Sequence, residues 1–219
     1  MADSDKGFDS FSSNEITYNF ALCDGANSCA GSGYAAKWLS AFMVDQFQKT
    51  EIFDYKELNN VFFRAHNEVK RNFPETGSTL AYVSALPDRL VLASIGDSYL
   101  QIFQPKFWKF GRWNLFLDMP RDLDHLGNPT QLVGSEVCHT LNISEINTHG
   151  IYCVVMMSDG PGLVLDEAYI SKRLNTLGRL KPSKDDLHYL CLSMAQEALS
   201  RGCLDDTSVA VIWLNYTKS

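Results

Sequence analysis

A chain of 219 residues with 45% hydrophobic content is long enough to bury a sizeable core as a single domain. A net charge of −7 argues against nucleic acid as a partner, no stretch approaches the roughly eighteen apolar residues of a membrane span, and no charged start leads into an apolar block, so a cytoplasmic protein is expected. Six cysteines (Cys23, Cys29, Cys138, Cys153, Cys191, Cys203) form no CxxC pair, which suits reduced thiols better than a zinc site or a disulfide scaffold.

In chain order, residues 15–23 read as a strand leading into Asp24-Gly25. Tyr34, Trp38, Leu39, Phe42, Met43 and Phe47 then recur at helical spacing, and Leu58, Val61, Phe62, Ala65 and Val69 repeat the pattern, so two amphipathic helices follow. TLAYVSAL and RLVLASI, joined by Pro87-Asp88-Arg89, form a hairpin, after which Gly96-Asp97 turns the chain into YLQIF. Residues 106–134 read as irregular, with Phe107, Trp108, Phe110, Trp113 and Phe116 serving packing or a partner surface. Residues 151–157 read as a buried strand, and Asp166 caps a helix ending near Gly178. Ser183 with Asp186 three residues on starts another helix, with Leu187, Leu190, Cys191, Met194 and Ala198 inward and Gly202 at its end. SVAVIWL is the last strand. No linker, repeat or low-complexity block interrupts this order, so one domain over residues 1–219, with a short or trimmed N-terminus, is expected. Periodicity alone licenses only a mixed α and β chain.

The chemistry gathers at the strand ends. Asp24-Gly25 follows NFALC, Asp159-Gly160 follows IYCVVMM, Asp97 lies between two strands, and Asp205 and Asp206 stand just ahead of the last. The stretch from Asp9 to Asp24 is long enough for one hairpin return, which is what two acids converging from neighbouring strands would need. Carboxylates collected at the edge of a core repel one another and lose hydration, a cost that hard divalent cations with oxygen ligands offset. The five histidines (His66, His125, His139, His149, His188) are dispersed, and Ser98 and Ser158 beside the acids have no histidine nearby in sequence, so no Ser-His-Asp or Cys-His set is visible.

Asp9-Ser10, Asp24-Gly25, Gly77-Ser78-Thr79, Gly96-Asp97-Ser98, Ser158-Asp159-Gly160 and Asp205-Asp206-Thr207-Ser208, in that order, resemble the motif series of the type 2C, metal-dependent protein serine/threonine phosphatases, in a compact bacterial-like subtype. The resemblance spans nearly the whole chain. It implies an α+β fold, a four-layer α-β-β-α sandwich of two antiparallel sheets flanked by helix pairs. It further implies hydrolysis of phosphoserine and phosphothreonine by a metal-activated water bridging two Mg2+ or Mn2+ ions. Asp24, the Gly25 carbonyl, Asp159 and Asp205 would be ligands, with Asp206 the alternative to Asp205. Asp9 would act through metal-bound waters, and Asp97 with Asp159 would hold a third, looser cation. Gly77-Ser78-Thr79 is expected to be a structural strand entry. The implied partners are a phosphorylated protein substrate and a cognate Ser/Thr kinase.

Two positions depart from the family pattern. Where members often carry a phosphate-binding arginine about five residues before the first Asp, this chain has Ser4. Lys6 is a candidate replacement, as are Arg112 or Arg121 from the irregular segment. Tyr99 stands where GDS is commonly followed by arginine. The missing arginine motivates an alternative reading, a weak or inactive pseudophosphatase that binds phosphoprotein. A third, an N-terminal-nucleophile amidohydrolase, lacks a Thr, Ser or Cys after Met1.

Overall fold

A computed structural model describes residues 8–14, 18–26, 31–46, 55–106, 112–138, 140–177 and 181–216. In chain order the elements are β1 (Asp9–Asn14), β2 (Asn19–Asp24), α1 (Ser32–Gln46), α2 (Tyr55–Asn72), β3 (Leu80–Ala85), β4 (Arg89–Ile95), β5 (Tyr99–Pro105), β6 (Trp113–Asp118), β7 (Asn142–Asn147), β8 (Ile151–Met157), α3 (Asp159–Val164), α4 (Glu167–Leu174), a 3-10 turn at Asn175–Leu177, α5 (Lys184–Ser200) and β9 (Val209–Asn215). They divide into two compact units, Met1–Ser98 with Pro120–Asn147, and Tyr99–Met119 with Thr148–Ser219.

The first unit carries an antiparallel sheet in the order β1-β2-β3-β4-β7. Helices α1 and α2 cover one face of it. Ser10 and Ser12 of β1 hydrogen-bond the Ser40 hydroxyl of α1 at 3.0 and 2.9 Å, while Ala21, Cys23, Tyr82 and Ala93 from the strands share a core with Leu39, Met43, Leu58 and Phe62. Each of those four helix side chains is fully buried, which stabilises the fold by about 1.5–3 kcal/mol apiece. The face expected for α2 is the one it buries: Leu58, Val61, Phe62, Ala65 and Val69.

The face expected for α1 needs correction. Tyr34 is 74% exposed, whereas Ala35, Ala36 and Ser40 are buried. The small side chains let the helix lie close to the serines of β1, and the aromatic residues Trp38 and Phe42 stack on each other at its margin with ring centroids 4.7 Å apart. Phe47 lies outside the described residues.

The second unit carries an antiparallel sheet in the order β6-β5-β8-β9. Alternate residues of β8, Cys153, Val155 and Met157, pack with Ile170 and Leu174 of α4 and Leu190, Met194 and Ala198 of α5. The expected caps are present. Asp166 accepts the Tyr169 amide at 2.7 Å, and Ser183 and Asp186 form a reciprocal capping box. Helix α4 ends at Leu174, earlier than expected, because the chain tightens into the 3-10 turn.

Three elements differ from the sequence reading. Residues 106–134 are not irregular throughout, since Trp113–Asp118 pairs with β5 as β6, and buried Trp113 packs against Trp213 at 5.0 Å. Phe107, Trp108 and Phe110 lie outside the described residues. Strand β7 and the six-residue α3 had no sequence signal. Five cysteines are free thiols among the described residues. No helix there is long and apolar enough to cross a membrane.

Candidate active site

In the first unit, β1 and β2 form a hairpin, as the spacing allowed, and its register places Asp9 directly opposite Asp24. The Gly25 amide donates to the Phe8 carbonyl at 2.9 Å. Residues 8 and 25 are therefore a hydrogen-bonded pair and residues 9 and 24 a non-hydrogen-bonded one, the type whose side chains approach more closely. Ser10, Ala21 and Cys23 point toward the helices, so by strand alternation Asp9 and Asp24 both point to the opposite face of the sheet. Two carboxylates directly opposed on one face, with side chains about 5 Å apart, destabilise a sheet unless something compensates their charge. Burial pushes the neighbouring Cys23 thiol well up, and the charges of Asp24 and Asp9 act in the same direction.

Asp24 is also gripped from its other edge. Its amide donates to the Thr79 hydroxyl at 3.0 Å and its carbonyl accepts the Thr79 amide at 2.8 Å. The Thr79 hydroxyl lies 2.6 Å from that of Ser98, so one threonine joins the Asp24 strand end to the turn that carries Asp97. Gly77-Ser78-Thr79 is the structural strand entry expected. Gly25 is required for close approach and not for a positive φ, because a Cβ there would meet the Ser32 backbone at 2.6 Å.

One residue of this end escaped the sequence reading. Asp122 accepts the Gly96 amide through Oδ2 at 3.0 Å, and its own amide donates to the Gly96 carbonyl at 2.8 Å. Nothing in the local pattern around Asp122 distinguishes it from a loop acid. Arg121 is half-buried in this unit, Arg112 is exposed at the start of β6, and Lys6 lies outside the described residues.

In the second unit, Ser158 is fully buried and knits β8 to the closing loop. Its amide donates to the Ser208 carbonyl at 3.1 Å, its hydroxyl donates to the Asp206 carbonyl at 3.2 Å, and that hydroxyl accepts the Ser208 amide at 3.1 Å. Asp159 and Gly160 open helix α3. A Cβ on Gly160 would meet the Asp206 carbonyl at 2.7 Å and the Asp205 Cβ at 3.2 Å, so the Asp159 turn and the Asp205 loop are in direct backbone contact. Asp205 is exposed and takes the Asp206 amide at 2.8 Å, while Asp206 is half-buried. Ser158 and Ser98 are both engaged and almost without solvent access, which leaves neither as a nucleophile.

The donors in each unit are all oxygen, the chemistry of magnesium, manganese and calcium. Among the described residues no three His, Cys, Asp or Glu side chains converge on one point.

The Protein phosphatase 2C family profile matches residues 5–200. No curated protein sequence matches the chain. Among solved structures, a bacterial serine phosphatase superposes with a TM-score of 0.76 at 15% identity, covering 98% of this chain and 94% of its own. The serine/threonine phosphatase Stp1 of Staphylococcus aureus gives 0.73 at 15% identity over 95% of this chain and 89% of its own. The serine/threonine phosphatase PstP of Mycobacterium tuberculosis gives 0.72 at 16% identity over 97% and 93%. These likenesses bear out the α+β fold of two antiparallel sheets with helices. With nine-tenths of the sequence matched by the family profile and the acids at strand ends in family order, the chain belongs to the type 2C protein phosphatases and is a phosphoprotein phosphatase.

Proposed function

We propose that this phosphatase hydrolyses phosphoserine and phosphothreonine in proteins with two magnesium or manganese ions held by Asp24, the Gly25 carbonyl, Asp159 and Asp205. In this reading Asp97 with Asp159 holds a third, looser ion, Asp9 acts through bound waters, and residues 1–219 serve as one catalytic domain. The observation that carries it is the cross-strand pairing of Asp9 with Asp24 on one face of the sheet, a like-charge arrangement that a divalent cation relieves. When bound, the ions supply a water acidic enough to lose its proton near neutral pH and positive charge for the phosphate oxygens.

The chain's own residues do the positioning. Thr79 holds the Asp24 strand end, Asp122 holds the turn before Asp97, and Ser158 holds the Asp159 turn to the Asp205 loop. Lys6 and Arg121 are our candidates for the substrate phosphate in place of the family arginine. We place the enzyme in the cytoplasm, opposing a Ser/Thr kinase.

The test is hydrolysis of a phosphothreonine peptide with added manganese by the wild type, by Asp159→Asn and by a chelated sample. Turnover in the first that is lost in both others supports the reading. Manganese binding without turnover on any phosphoester would sink it and leave the pseudophosphatase.

A further inference from the structure

The turn carrying Asp97 is held by more than its own backbone. Gly96 sits at φ +88, a conformation open to glycine, and a Cβ there would meet the Thr79 side chain at 2.8 Å. Both polar groups of Gly96 are taken by one residue: its amide by the Asp122 carboxylate at 3.0 Å, its carbonyl by the Asp122 amide at 2.8 Å. The same carboxylate accepts the Asn142 side-chain amide at both oxygens, 3.1 and 3.2 Å away. Asn142 opens β7, where it pairs with Ser94 of β4, two residues before Gly96. The Asp122 carbonyl accepts the Thr130 amide at 2.7 Å, so the clamp is anchored in its own loop as well. Asp122 thus spends its backbone amide, its carbonyl and both carboxylate oxygens on fixing one turn against a strand.

We propose that Asp122 is a positioning residue for the metal centre: by clamping Gly96 on both edges and tying it to Asn142, it sets where the Asp97 carboxylate is delivered. A side chain that only capped a loop would need one of these bonds. Two bonds on Gly96, the residue before Asp97, with the carboxylate that makes one of them itself held by Asn142, restrain the rotation of the peptide that would otherwise swing the Asp97 carboxylate. The inference rests on the reading of Asp97 as a cation ligand.

The experiment compares wild type, Asp122→Ala, Asp122→Asn and Asn142→Ala by manganese calorimetry and by hydrogen exchange at residues 96–98. Asp122→Ala is expected to weaken manganese binding by roughly 10–100-fold and to speed exchange of the Gly96 amide, with turnover recovering at high manganese. Asp122→Asn, which keeps one acceptor oxygen for Gly96, is expected to fall between wild type and Asp122→Ala, and Asn142→Ala to resemble it. If Asp122→Ala does not fold, the Asp122→Asn values decide. Manganese affinity within about twofold of wild type in a folded variant would overturn the proposal while leaving the metal reading intact. A wild type that binds no manganese would overturn both.

Discussion

At the scale of single residues, Tyr99 shows how a departure from a family pattern is absorbed. Its ring lies against Gly162 in α3, so that a Cβ at Gly162 would overlap it. The ring is 9% exposed and belongs to the core of the second unit with Phe103, Met157 and Leu165. The aromatic side chain and the missing Cβ therefore form a matched pair. Gly162→Ala should destabilise the protein by about 1–3 kcal/mol, because the ring must leave its place. In a Tyr99→Ala background the same substitution should cost much less, as contacting residues couple in a double-mutant cycle. Urea unfolding of the four proteins measures this, and equal costs in both backgrounds would refute the pairing. The Tyr99 position was visible as unusual in the sequence. Its partner was not, since 63 positions of chain separate them and no local pattern links a tyrosine to a glycine in another element.

At the scale of elements, α2 is joined to the loop before β7 by a titratable side chain. His66 accepts the Gly134 amide through Nδ1 at 3.1 Å, and Val133 beside it bridges to Ser78 of the strand entry. Burial first, and then the nearby Lys70 charge, hold the His66 imidazole below its usual value against the opposing pull of Glu136, which pairs with Lys70 at 2.9 Å. Protonating Nδ1 breaks the bond to Gly134. A folded-state value below the unfolded one means that the contribution is fully present above about pH 6.5 and is lost as the pH falls toward the depressed value. The wild type should lose stability between pH 7.5 and 5 more steeply than His66→Gln, which keeps an acceptor but does not titrate. Parallel urea midpoints across that window would refute the link. Elements whose formation depends on near neighbours in sequence were legible: the α2 stripe, the Asp166 cap and the Ser183–Asp186 box all act within a few residues. The α1 face was misread because the large aromatics outweighed small residues whose importance comes from how closely β1 approaches.

At the scale of the whole molecule, a chain of net charge −7 with acids at the ends of both its sheets should be stabilised by cations that bind the folded state alone. Manganese at a hundredfold excess over its dissociation constant should add about 2.7 kcal/mol, a rise in Tm that grows with the logarithm of concentration. Asp24→Ala should abolish most of that rise, and a rise of the same size in the variant would move the ion elsewhere.

The sequence by itself determined the family, the order of the acids and the apolar strands that lead to Asp24, Asp97 and Asp159, because each is written in short motifs or in apolar runs bounded by turn residues. The spacing of Asp9 and Asp24 allowed a hairpin, but the strand read over 15–23 is β2 at Asn19–Asp24, and the register that opposes the two acids is a property of the folded sheet. Only the tertiary structure decided the rest. Strands β6 and β7 exist because β5 and β4 offer them edges, and Thr79, Asp122 and Ser158 became supports of the acid turns because distant chain segments bring Asp24, Gly96 and Asp206 to them. A hydrogen bond between residues tens of positions apart leaves no local pattern, so its partners can be recognised only once the backbone has placed them together.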